Sequence, residues 1–77
     1  MRLDKFLKLS RVIKRRTVAN EAADNGRISV NGKIVKPSYE VKVGDIIEIK
    51  FGDKISSFEI LKIPKNQADV QDIIKIL

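Results

Sequence analysis

Leu3, Phe6 and Leu7 recur at i, i+3 and i+4 while Arg2, Asp4, Lys5 and Lys8 fall elsewhere on the turn, which predicts a short amphipathic helix from residue 2 to about 9. Ser10 reads as its break and local cap. Residues 11–16 then form a connector in which Val12 and Ile13 can bury and the charged residues cannot. Thr17 is the expected N-cap of a second helix with a narrow face of Val18, Ala19, Ala22 and Ala23, and Asn25-Gly26 ends it. Ile28 to Val30, Asn31-Gly32 and Lys33 to Val35 make the strongest hairpin signal in the chain, because a type I′ turn needs positive φ at both central residues. Pro37 closes that hairpin and Gly44-Asp45 marks another turn. "IIEIKF" at 46–51 then reads as a strand, and "GDK" at 52–54 turns the chain into a second strand-like run that ends at Pro64. Val70, Ile73, Ile74 and Leu77 lie at helical spacing and predict a short C-terminal helix, docked on the sheet or on a partner. The expected fold class is α+β: two N-terminal helices packed on a short antiparallel sheet of three to five strands, with one domain over 1–63 and a tail over 64–77.

Size and composition tighten this picture. A chain of 77 residues has room for one core only. With no cysteine and no histidine, it can draw on neither a disulfide framework nor the usual zinc ligand set. No apolar run approaches the roughly 20 residues that cross a bilayer. The charge is unevenly spread: residues 1–36 hold ten Lys or Arg against three acids, whereas residues 37–77 hold six against seven. A cationic half beside a neutral one points to a partner of concentrated negative charge.

Catalysis has little support, since no serine has a base at motif spacing and Asp45, Glu48, Asp53 and Glu59 sit where solvated charge is the ordinary explanation. No enzyme activity, cofactor or metal is expected. The connector is more informative, because Arg11, Lys14, Arg15 and Arg16 crowd toward the positive end of the second helix. That arrangement is locally unfavourable unless an anion lies against it, and free helix amides, lysines and arginine forks all suit phosphate. A membrane is the rival reading for "MRLDKFLKLSRVIKRR", but Asp4 counts against a targeting peptide and the apolar positions of the first helix are needed for a core. Of the four aromatics, Phe6, Phe51 and Phe58 fall at core positions and only Tyr39 is free to stack, so structured RNA fits better than single strands. The second helix offers alanines where a DNA-reading helix needs base-contacting side chains, so DNA is not expected.

"RLDKFL", "RRTVANEAADNGRISVNGKIVKPS" and "VGDIIEI" occur in order within residues 1–49, and together they resemble the S4-type RNA-binding domain family. That module, built on the αL motif, is shared by ribosomal protein S4, the heat-shock protein of 15 kDa and several RNA-modifying enzymes. The resemblance implies that Arg2 and Lys5 reach phosphates from the first helix, and that Asp4 orients an arginine or accepts from a base or ribose. Arg11, Lys14, Arg15 and Arg16 would then follow the RNA backbone, helped by Thr17 and Asn20, with Lys33 contributing from the hairpin. The small stand-alone members imply a cytoplasmic, monomeric factor of ribosome-associated quality control. Its implied partners are structured rRNA of the large ribosomal subunit, peptidyl-tRNA and an alanine-tailing factor of the RqcH type, with no membrane and no DNA. Two alternatives stay open: a heat-shock-type recycling factor of the large subunit, and a protein-binding adaptor that docks through its C-terminal tail.

Overall fold

Leu3, Phe6 and Leu7 are fully shielded from solvent, and they orient the first helix, α1 (Leu3–Leu9), onto the core. The structure is a computed structural model describing residues 1–77. At the start of α1 the free amides are met by main-chain carbonyls from a later loop: Leu3 N–H donates to Tyr39 O at 2.8 Å and Asp4 N–H to Pro37 O at 3.2 Å. At its end, the Ser10 hydroxyl donates to Leu7 O at 3.1 Å, matching the break expected there. Arg11 follows with φ 63, and its N–H donates to Lys8 O at 3.0 Å. Glycine usually fills this left-handed position, and a residue with a Cβ accepts about 1–2 kcal/mol of strain there.

The second helix, α2 (Arg16–Asp24), begins two residues earlier than expected. Arg15, not Thr17, is the extended residue before it, and no side chain caps it. Ala19 N–H donating to Arg15 O at 3.1 Å fixes this start. That phase turns Ala19, Ala22 and Ala23 inward against α1 and leaves Val18 42% exposed on the rim, so helix packing overrides the cap preference. The end of α2 follows the expectation. Gly26 takes φ 71, its N–H donates to Ala23 O and Arg27 N–H donates to Ala22 O, each at 3.0 Å, the paired closure of a Schellman motif.

Five antiparallel strands follow: β1 (Ile28–Val30), β2 (Lys33–Ile34), β3 (Ile46–Phe51), β4 (Lys54–Ile60) and β5 (Ile74–Ile76), in the order β2-β1-β3-β4-β5. Asn31 (φ 52) and Gly32 (φ 86) form the turn that their sequence signals. Pairing of Ile28 with Ile49 and of Ile47 with Phe58 brings Ile28, Val30, Ile47, Ile49, Phe58 and Ile60 into the core with the helices. The segment between β2 and β3 is clasped by Asp45, which is buried. Its carboxylate accepts from Tyr39 Oη at 2.9 Å, Lys42 N at 3.0 Å and Asn31 Nδ2 at 3.1 Å, while Asn31 Oδ1 accepts from Ile46 N at 2.9 Å. Burial, and then the bond to Asp45, pushes the Tyr39 hydroxyl above its ordinary value. Tyr39 is therefore a structural residue rather than a free stacking platform, and Phe51, expected in the core, is 43% exposed at the end of β3.

The C-terminal helix does not form. Asp72 takes φ 55, Ile73 is buried in the core, and Ile74–Ile76 add the fifth strand, with Ile74 opposite Ile60 and Lys75 opposite Glu59. An unpaired edge of β4 and a β-branched run outweigh the coincidental helical spacing. The adaptor reading loses its docking helix, because Ile73 and Ile74 are committed to the fold. Replacing Ile73 with Ala is expected to cost about 2–4 kcal/mol in urea unfolding, as for other buried isoleucines. A change within a few tenths of a kcal/mol would mean that the tail is not packed as described.

Candidate nucleic-acid interface

Arg16 and Asn20 lie four residues apart on α2 and so share a face, which is turned toward the first turn of α1. Asp4 meets them there, with only 3% of its side chain exposed. One carboxylate oxygen accepts from Lys5 N–H at 2.8 Å and pairs with Arg16 Nη2 at 3.4 Å. The other accepts from Arg2 Nη2 at 3.3 Å and Asn20 Nδ2 at 3.2 Å. Burial opposes ionisation, but hydrogen bonds from Asn20, Arg16 and the Lys5 amide outweigh it and hold the carboxyl below its ordinary value of 3.8. The two arginine side chains keep about half of their surface in solvent, 51% for Arg2 and 46% for Arg16. Each is thus anchored from below and open above. A shallow depression lined by Asp4, Arg16, Thr17, Asn20 and Glu21 lies beside them.

This corrects one premise of the sequence reading. The cations near Thr17 do not all lack an internal partner, because Arg16 is paired with Asp4. One carboxylate cannot neutralise the cluster, however. Arg2, Lys5, Arg11, Lys14, Arg15 and Arg16 carry six positive charges against the single charge of Asp4, and neither Lys5, Arg11, Lys14 nor Arg15 has a carboxylate within 4.0 Å. Asp4 touches two arginines, Arg2 and Arg16. Asn20 spends its amide on Asp4, and Thr17 is exposed in the first turn of α2. Lys33 stands apart on the edge strand β2 and does not line the depression. Glu21 went unnoticed in the sequence; its place one turn beyond Thr17 on α2 was the available signal.

A basic connector between two helices, set over a small antiparallel sheet, defines an S4-type module, and the S4 domain family matches residues 1–47. Proteins called RQC P-site tRNA stabilizing factor are similar over most of the chain. The Streptococcus pneumoniae protein is 58% identical over 62 residues, covering 80% of this chain and 70% of its own. The Bacillus subtilis protein is 57% identical over 60 residues, covering 78% and 70%. Among solved structures, heat shock protein 15 of Vibrio cholerae, described as trimeric, superposes with a TM-score of 0.85 at 29% identity, covering 100% of this chain and 81% of its own. The chain belongs to the S4-domain family and, within it, to the group of RQC P-site tRNA stabilizing factors.

The lowered pKa of Asp4 sets a pH dependence. A carboxyl that titrates lower in the folded chain contributes stability that is complete above 3.8 and is lost as pH falls through the folded value. Replacing Asp4 with Asn should cost about 1–3 kcal/mol near neutrality, since charged hydrogen bonds are lost, and the cost should shrink in acid. Urea midpoints of both proteins between about pH 7 and pH 2 measure this, and a gap that stays constant would contradict it.

Proposed function

We propose that the protein is a non-catalytic, cytoplasmic RNA-binding factor of ribosome-associated quality control. It binds structured rRNA of an obstructed large ribosomal subunit together with its peptidyl-tRNA, and it supports alanine tailing of the stalled chain by a partner of the RqcH type. The observation that carries this reading is the pair of half-exposed arginines, Arg2 and Arg16, set by one buried carboxylate beside the unpaired Lys14 and Arg15. Fixed guanidinium forks meet phosphate oxygens with two hydrogen bonds and little further ordering, while the lysines and Arg15 add affinity by releasing counterions. Recognition would be by shape and backbone, because Phe51 is the one substantially exposed aromatic besides the engaged Tyr39. The names of the relatives, which specify P-site tRNA, support the same direction. No helix is long and apolar enough to cross a membrane.

Binding to purified large subunits that carry peptidyl-tRNA tests the proposal by co-sedimentation. With about five phosphates neutralised, log affinity should fall against log salt with a slope near −4, at roughly 0.7 to 0.9 per contact. Lys14→Glu with Arg15→Glu should abolish binding with little change in melting temperature, since both residues are exposed and unpaired. A flat salt response, or full binding by the double variant, would defeat the electrostatic argument. Arg16→Glu is a poorer probe, because it sets a second carboxylate against Asp4 and lowers stability as well.

Asp4→Asn separates positioning from charge. It raises the net charge from +6 to +7, so charge alone predicts tighter binding. Oriented arginines predict weaker binding, by roughly tenfold if one charge-assisted contact is lost. Affinity measured at a pH and temperature where both proteins are folded decides between the two.

A further inference from the structure

The strained residue at the end of α1 is not explained by packing. Arg11 is exposed, its φ of 63 would suit glycine, and no carboxylate lies within 4.0 Å of it. Lys8, one turn earlier, has a ready account, because a cation near the last carbonyls of a helix opposes the dipole. The charge of Arg11, just past the same helix end, shares that account, but the charge does not require an arginine to take the left-handed backbone.

What lies beside Arg11 comes from the C-terminal loop. Val70 packs against the core and brings Gln67 over the end of α1, so that Lys8, Leu9, Arg11, Gln67 and Val70 line one polar depression. Asp69, the acid two residues from Gln67, is paired with Lys62. The depression therefore presents two free cations and an exposed amide. Arg11 is also the first cation of the basic connector, which continues along the chain through Lys14 and Arg15 to Arg16.

From this we infer that Lys8, Arg11 and Gln67 form a second binding saddle for the sugar–phosphate backbone of structured RNA, carrying the bound strand from the α1–α2 face onto the C-terminal loop. The inference rests on the RNA-binding reading above and extends its surface to a segment outside residues 1–47, where the S4 domain matches. Arg11 supplies a guanidinium fork, Lys8 a point charge, and Gln67 an amide able to donate to a phosphate or exchange hydrogen bonds with a 2′-hydroxyl. The left-handed backbone is the cost of setting an arginine, rather than a glycine, at the corner where the two surfaces meet.

Three single variants test this with purified large subunits as the probe, each titrated across a salt series. Arg11→Gly should melt at the wild-type temperature or above it, because it removes the strain, yet bind severalfold more weakly with a salt slope shallower by about 0.7–0.9. Lys8→Gln should show the same change in slope, and Gln67→Ala should lose affinity without a change in slope, since it removes no charge. Wild-type affinity and slope in both Arg11→Gly and Lys8→Gln, with Lys14→Glu/Arg15→Glu still abolishing binding, would overturn the saddle and leave the main face intact. A wild-type protein that binds no subunit would overturn both readings together.

Discussion

The carboxylate of Asp4 is the contact on which the junction of the two helices, and the arginines above it, depend. It sits at the junction of α1 and α2, shielded from water, and accepts from four groups: one backbone amide, one side-chain amide and two guanidiniums. A buried charge tolerates its loss of hydration only with such a set of donors. The same set locks two arginines that would otherwise sweep a wide range of rotamers. One interaction thereby joins two helices and pre-orders the groups that meet an anion. It offsets only the two arginines it touches and leaves Lys5, Arg11, Lys14 and Arg15 without a carboxylate.

Around that contact the fold works as a frame. The helices would be poorly anchored alone, for α1 has seven residues and α2 nine. Their apolar stripes are held by Ile28, Ile47, Ile49 and Phe58 on the sheet, and the amides that open α1 are met by carbonyls of Pro37 and Tyr39. Those carbonyls are in turn set by the Asp45 clasp. Polar groups deep in the molecule thus form two nodes, Asp4 on the helix side and Asp45 on the loop side, and no buried side-chain nitrogen or oxygen is left without a partner.

Much of this was legible in the sequence where local chemistry is decisive. Leu3, Phe6 and Leu7 reported α1, Asn31-Gly32 reported the hairpin and Asn25-Gly26 reported the end of α2, because each depends on a few neighbouring residues. The N-terminus of α2 was misread because Thr17 is a good cap that helix packing does not use. The tail was misread because Val70, Ile73, Ile74 and Leu77 satisfy a helical period, while the free edge of β4 that captures residues 74–76 lies more than ten residues away and leaves no local mark. At the candidate site, the cations were evident from composition. The pairing of residue 4 with residues 16 and 20 was not, because it depends on the angle at which two helices meet.

The match to the S4 domain stops within β3, at residue 47 of a strand spanning 46–51. Phe58, Ile60 and Ile73, which complete the core, all lie beyond it. During synthesis the cationic segment therefore emerges well before the residues that give it shape. A nascent copy would display the charge of the finished surface before its shape, which is set only once the last strands have closed the core under the helices.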